Sequence, residues 1–164
     1  MPHRTSLSVT QPDGAALHVR DPALAIHLAA ITGEAVGLLR MGRGAFDAMP
    51  VSVMTTATLR TVAQACDVLP DPLRFRPNIL LDSDADETEW LGRILLLGDE
   101  GAALRIDLPI PRCAMVGIDP ATAARDPATV RTVVQRFGNQ VGVYATVHAP
   151  GPVRRGAGVR LLPA

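Results

Sequence analysis

LPIPRCAMVGID, Leu108–Asp119, sets one cysteine behind two prolines spaced two apart, with apolar residues on either side. In an extended chain side chains alternate faces, so Ile106, Leu108 and Ile110 fall on one face, and Pro109, Pro111, Cys113 and Met115 on the other. Backbone N–H directions alternate in step. Pro109 and Pro111 therefore delete two donors from the same strand edge, which inside a sheet breaks two ladder bonds; such spacing belongs at an edge, a bend or a barrel mouth. Cys113 emerges just past that break. By simple alternation Arg112 points away from Cys113, so adjacency alone does not activate the thiol, although a proline-induced bend brings the two together. The alternative is that Cys113 is an inert small hydrophobe, a common fate of free cysteines.

Outward from this stretch, most segments read as extended. SLSVT, AVGLLR, PVSVM, FRPNILLD, GRILLLG, ALRIDL, AMVGID, VGVYATVH and GVRLL are short β-rich or apolar runs separated by Pro, Gly and Asp. Three segments read as helices. In DPALAIHLAAITG, Asp21 caps, Pro22 suits the first turn, Leu24, Leu28 and Ile31 share a face, and Gly33 permits a left-handed exit. DPATVRTVVQRFG repeats that grammar, with Asp126 and Pro127 opening, a stripe of Val130, Val133, Val134 and Phe137, and Gly138 closing. TTATLRTVAQAC has Thr55 or Thr56 as cap and Leu59, Val62, Ala63 and Cys66 on one side, which makes Cys66 core packing. About nine strands with three short helices predict a β-rich α+β fold with a closed or nearly closed mixed sheet. A doubly wound parallel sheet fits worse, because several consecutive strands have no helix between them.

With 164 residues the chain suits one ordinary domain with a real core. Acidic and basic residues balance at 16 each and aromatics are 3% of residues, so neither a nucleic-acid footprint nor a row of base-stacking platforms is present. All the cations are Arg, suited to bidentate recognition of carboxylate or phosphate, though genomic composition gives the same bias. No apolar run reaches the roughly 20 residues that span a bilayer, and MPHRTSLSVTQPDG lacks the apolar middle of a secretory signal, so the expected location is cytoplasmic. Two cysteines make no disulfide framework. His3, His18, His27 and His148 are scattered without ligand spacing, which disfavours a zinc site or a Cys-His dyad and leaves open a soft thiolate bond to a metal carried by a cofactor.

FRPNILLD, EWLGRILLLGD, PIPRCAMVGIDPAT and FGNQVGVYATVHAPGPVRRGAGVRLL occur in order and at suitable spacing, and AMPVSVMTTATLRTV leads into the first core helix. From about Pro50 to Leu162 the chain resembles the MOSC domain, the C-terminal region of molybdenum-cofactor sulfurases. The resemblance implies a mixed-sheet β-barrel, a pterin-bound molybdenum cofactor (molybdopterin) in a positive cleft, and a cysteine thiolate on the metal, here Cys113. Arg76 and Asn78 match residues at the cofactor in related amidoxime-reducing proteins, and Tyr144 matches a tyrosine beside it. Arg76 suits a bidentate phosphate clamp, and Asn78 has the donor and acceptor to read a pterin edge. The bland readings are a surface ion pair for Arg76, a turn amide for Asn78, a core ring for Tyr144 and a solvent-facing side chain for Arg112, which otherwise faces the cofactor. Thr55 and Thr56 open a helix whose unpaired N–H groups suit an anion, or are ordinary caps.

The acidic run DSDADETEW has Glu87 where a calcium loop needs its turn glycine and Arg93 where it needs its last glutamate; it reads as a solvated loop, with Trp90 anchoring the next strand. The glycines of MGRGAF and GPVRRGAG follow neither dinucleotide nor P-loop spacing and are assigned to turns. Residues 1–40 are expected to be a partial N-terminal appendage packed on the core and 41–164 the MOSC-like domain; Ser6–Arg40 resemble the tail of the portion whose basic residue helps hold the cofactor phosphate in amidoxime-reducing proteins. Arg40, Arg43, Arg74 or Arg76 covers that charge, a second chain or homodimer completes the site, or the site no longer holds molybdenum.

Three functions are therefore expected to compete. The leading one is an oxidoreductase reducing N-oxygenated small-molecule substrates, with Cys113 as metal ligand and an electron-donor redox protein as partner, since the chain has no iron–sulfur cysteine set and no flavin or nicotinamide fingerprint. The others are a metal-free sulfur carrier or transferase using a Cys113 persulfide, and a noncatalytic domain that binds a small ligand or a partner.

Overall fold

The computed structural model describes residues 7–38 and 48–163. Packing divides the chain into two compact units, Met1–Ala45 and Phe46–Ala164. In the first, β1 (Ser8–Thr10) and β2 (Ala16–His18) pair antiparallel around a turn in which Gly14 takes a positive φ. Helix α1 (Pro22–Thr32) follows with the expected grammar: Asp21 accepts from the Ala23 N–H, Pro22 occupies the first turn, and Gly33 exits left-handed with its N–H on the Ala29 carbonyl. The expected apolar stripe is not buried as a unit. Leu24 is buried, whereas Ile31 is exposed along with Ile26 on the opposite side, because this helix is apolar nearly all round and has no single face to hide. Residues 35–38 of AVGLLR carry no strand, and Leu39 and Arg40 lie outside the described residues.

The second unit carries β3 (Val51–Thr55), α2 (Thr56–Cys66), β4 (Ile79–Leu81), β5 (Ile94–Leu97), β6 (Ala103–Pro111), α3 (Pro127–Phe137), β7 (Gln140–Ala149) and β8 (Val159–Leu162). The strands form one curled, half-closed mixed sheet in the order β4-β3-β7-β6-β5-β8, parallel only between β3 and β4. Three 3-10 turns, Pro72–Arg74, Glu87–Trp90 and Ala114–Gly117, punctuate it. Among the described residues no helix is long and apolar enough to cross a membrane.

The sheet has an apolar cluster on each face, and alternation explains which residue goes where. Val53, Leu95, Leu104, Ile106, Val143 and Ala145 form one with Trp90. Met54, one residue after Val53, faces the other way and joins Leu59 and Val62 of α2, Val133 of α3, Phe75, Val116 and Val141. Each Val, Leu, Ile, Phe or Met among them contributes about 1.5–3 kcal/mol on leaving water. Val141 and Val143 have the same parity yet serve opposite clusters. Gly142 lies between them at φ +77°, where the β6–β7 register shifts between Pro109 and Pro111. That is a glycine bulge, and it turns the chain over.

The prolines sit where the sequence places them. β6 pairs with β5 only through Ala103–Arg105, and Ile106 exchanges bonds with Gly92 and Arg93. Past Ile106, β7 is its one ladder neighbour, so Pro109 and Pro111 lie on a half-edge. Two expectations fail nearby. Leu108 does not share the buried face of Ile106: it is 41% exposed, because a bulge at Asp107 shifts the register between Ile106 and Leu108. AMVGID is not a strand but a 3-10 turn pressed against the start of α3, so close that a Cβ on Gly117 would meet Val130 at 2.5 Å and the Asp126 carbonyl at 2.7 Å.

In α2 the expected face holds, with Leu59, Val62 and Ala63 buried and Cys66 half-buried against the same cluster. In α3, Val130, Val133 and Phe137 pack as expected. Val134 is exposed, and Thr129 takes a fully buried place in the first turn, its hydroxyl bonded to the capping Asp126.

Candidate functional site

Three segments distant in sequence meet at one end of the sheet. Arg74 makes the first connection. It is 8% exposed, and its guanidinium donates to the Val116 carbonyl at 3.1 Å and pairs with Asp119 at 3.3 Å, tying the turn before FRPN to the turn after Cys113. Occupied in this way, Arg74 is unsuited to the phosphate-covering role weighed for it. Arg40 and Arg43 lie outside the described residues.

Arg76 follows at φ +53°, a left-handed conformation that costs a non-glycine residue about 1 kcal/mol. Its N–H closes the turn onto the Pro72 carbonyl at 2.8 Å. The side chain is exposed, and no described residue pairs with its guanidinium. Asn78 is locked to β3: its Oδ1 accepts from the Ser52 N–H at 2.8 Å and the Ser52 hydroxyl at 2.9 Å, while its own N–H donates back to Ser52. The amide nitrogen is left without a partner among the described residues. Ser52 stands opposite Tyr144, and Tyr144 opposite Leu108, so Ser52, the half-buried Tyr144 and Leu108 form a row across three strands, with Asn78 fastened to one end.

Arg112 joins the remaining parts. Its Nε donates to the Val141 carbonyl at 2.8 Å and its Nη1 to the Phe75 carbonyl at 2.8 Å, with the guanidinium 5.6 Å from the Phe75 ring centroid. The third nitrogen, Nη2, is buried and unpartnered. A Cβ on Gly142 would stand 3.0 Å from that atom, so the bulge glycine also makes room for the arginine. Burial pushes the Arg112 guanidinium below its usual range, opposed by Tyr144, Cys113 and Glu87. Arg112 therefore does not face solvent; it staples FRPN to β7. Cys113 follows immediately, exposed, at the cap position of the 3-10 turn, where its side chain makes no capping bond.

Of the two readings of the threonines, the structure bears out the cap. Thr55 caps α2 and is fully buried, its N–H and hydroxyl both directed to Glu87 Oε2 at 3.2 and 2.7 Å. Thr56 bonds Asp82 and Ser83. The α2 N-terminus already has a resident carboxyl, so neither threonine is placed to receive an external anion. Glu87 was itself hidden in the acidic run read as solvated. It has no exposed surface, and a third donor, the Thr58 hydroxyl, reaches Oε2 at 2.6 Å. A signal for this was present: side chains at i and i+3 of a 3-10 turn eclipse one another, so burying Trp90 buries Glu87. Among the described residues no cluster of three or more His, Cys, Asp or Glu is suited to hold a metal ion.

A family model described as the MOSC domain matches residues 31–160. The molybdenum cofactor sulfurase of Anopheles gambiae is 34% identical over 89 residues, covering 52% of this chain and 11% of that protein. That of Drosophila melanogaster is 32% identical over 75 residues, covering 44% and 9%. The chain thus spans about a tenth of the length of the curated relatives it matches. Among solved structures, the YuaD protein from Bacillus subtilis superposes with a TM-score of 0.58 at 20% identity, over 77% of this chain and 70% of that one. A crystal structure of a hypothetical protein gives 0.53 at 18%, over 74% and 56%. At these identities the structural likeness concerns the fold.

Proposed function

The chain belongs to the MOSC domain family, and from that premise we propose that its second unit binds a pterin molybdenum cofactor through Cys113 and serves an oxidoreductase acting on N-oxygenated small molecules. The observation that carries this reading is the exposed Cys113 thiol at the junction of FRPN, Arg112 and β7. The donor set fits such a group. A thiolate is a soft ligand suited to molybdenum; Arg76 has an exposed guanidinium for a phosphate; Asn78 keeps an amide N–H₂ for a pterin edge; and Arg112 Nη2 is a buried donor without a protein partner.

When bound, the molybdenum centre supplies oxo transfer coupled to two-electron reduction. The chain's own contribution is placement. Ser52 holds Asn78, Arg74 and Arg112 hold the two turns that flank the thiol, and Tyr144 offers a hydroxyl that no described residue engages. Electrons come from a partner redox protein, in a cytoplasmic setting that keeps thiols reduced. A second chain or homodimer remains a candidate source of further positive charge.

Protein produced in a host that makes the cofactor is expected to carry molybdenum and pterin near one per chain by elemental analysis and pterin fluorescence, and Cys113→Ala to lose both without a change in melting temperature. A metal-free preparation with full reductase activity overturns the proposal. The sulfurase relatives favour one second reading, a Cys113 persulfide. Intact mass after incubation with a persulfide or polysulfide donor, whose S–S bond breaks to release a thiolate as the Cys113 S–S bond forms, then gains one sulfur that reductant removes.

A further inference from the structure

Glu87 is the one fully buried charged side chain among the described residues, and its ion pairing is not accounted for. Capping α2 does not require its charge. Thr55 Oγ1 already accepts from the Thr58 N–H, and the three donors that reach Glu87 all converge on Oε2. Oε1 is buried without a partner. A buried carboxylate with an unsatisfied oxygen is costly unless an opposite charge lies close by.

The topology directs one, Arg112, toward the same place, although it makes no ion pair with the carboxylate within 4.0 Å. Ladder pairing between β3 and β7 ends at Val53 opposite Val143. Beyond that point the strands part. The next residue of β7 is Gly142, whose Cβ position lies 3.0 Å from Arg112 Nη2 and 3.1 Å from the Val53 carbonyl. Backbone polar groups two residues apart on a strand point the same way, so the Thr55 N–H is directed into the same split as the Val53 carbonyl. That N–H is bonded to Glu87. The split therefore holds an acid and a guanidinium at successive positions, each with one unsatisfied polar atom. Tyr144, Cys113 and, with the smallest effect of the three, Glu87 are the groups whose charge acts on Arg112.

We propose that Glu87 is a positioning residue for the Cys113 site: its buried charge is the counter-charge that holds Arg112 in the split between β3 and β7 and limits how much of the guanidinium's field reaches the thiol. This rests on the reading of Cys113 as the reactive group. It adds that the site's attraction for anions is set from beneath, by a residue that touches neither cofactor nor substrate. The acidic run is thereby connected to the cysteine by way of Thr55, the cap of α2.

The test uses the full chain without added cofactor, so that its failure is distinguishable from failure to load molybdenum. Cys113 is alkylated in parallel with iodoacetate, an anion, and iodoacetamide, its neutral counterpart, at low ionic strength where local charge is least screened. Both reagents attack the same thiolate, so the ratio of their rates cancels its population and reports the local field. Peptide mass separates Cys113 from Cys66. Glu87→Gln keeps an acceptor for Thr55 and Thr58 and deletes the charge; the ratio is expected to rise roughly threefold. Arg112→Gln is expected to lower it by a similar factor, and in the Arg112→Gln background Glu87→Gln is expected to raise it by clearly less than threefold, because the guanidinium that Glu87 holds is gone; an undiminished increase there overturns the proposal. Glu87→Asp keeps the charge while loosening the cap, so the ratio stays within about 1.5-fold of the parent even as the melting temperature falls. An unchanged ratio in a folded Glu87→Gln protein overturns the proposal, leaving Glu87 as a cap. Should Glu87→Gln not fold, Glu87→Asp decides: a ratio that moves with the loosened cap overturns the proposal, and one that holds while stability drops supports it.

Discussion

Around Cys66 the chain closes in, and around Cys113 it opens out. Cys66 ends α2 against the cluster of Val133, Val130 and Phe137, its thiol 3.9 Å from the Thr129 carbonyl, and burial pushes that thiol up, with Asp126 adding to the effect. Cys113 follows a strand that has lost one ladder neighbour, stands exposed, and has Arg112 buried behind it. The difference comes from backbone hydrogen bonding. A residue on the inner face of a helix is carried into the core by its turn, whereas a residue past two prolines has left the ladder that would have covered it.

The largest effect expected from this contrast is chemical. With a neutral alkylating agent at about pH 8, Cys113 is labelled about 10-fold faster than Cys66, because burial both raises the Cys66 thiol and restricts access to it. Equal labelling of the two peptides breaks the comparison. Next in size is Gly142→Ala, which sharpens it from one side. A side chain at φ +77° that also meets Arg112 Nη2 at 3.0 Å and the Val53 carbonyl at 3.1 Å is expected to cost about 2–4 kcal/mol in urea melts and to change labelling at Cys113 but not at Cys66. A loss under about 0.5 kcal/mol counts against the bulge as a requirement.

The smallest effect is on the alkaline side and belongs to Cys66. Its folded thiol holds its proton to higher pH than the ordinary value of 9.0, so the unfolded chain releases that proton first. The contribution is present in full below the ordinary thiol range and is lost as pH rises through the folded value. Stability measured from about pH 8 upward is expected to fall less steeply in Cys66→Ala than in the parent. Identical slopes remove the distinction between the two thiols on this axis.

Local grammar carried much of the fold. Asp-Pro openings and Gly exits placed α1 and α3 because a cap and a left-handed exit need only a few neighbouring residues. The proline pair located the half-edge of β6 for the same reason. Alternation failed wherever a bulge intervened, at Leu108 and at Val141, since one extra residue reverses faces without leaving a strong mark in composition. The resemblance put Arg76, Asn78, Arg112, Cys113 and Tyr144 forward as site residues, and the structure brings the segments that carry them to one end of the sheet. It did not indicate that Thr55 is sealed beneath Glu87, or that Arg74 is committed to Asp119.

By itself, then, the sequence determined the segments: which residues form helices, where a ladder must stop, and which cysteine follows that stop. These are properties of torsion angles and missing N–H groups, and they are decided within a few residues. The tertiary structure alone decided the charges. That Glu87 is buried while its acidic neighbours are not, and that Arg112 is turned under Gly142 toward the Phe75 and Val141 carbonyls, follows from strands distant in sequence parting at one point, where a polar side chain enters only if another chain segment supplies its partner.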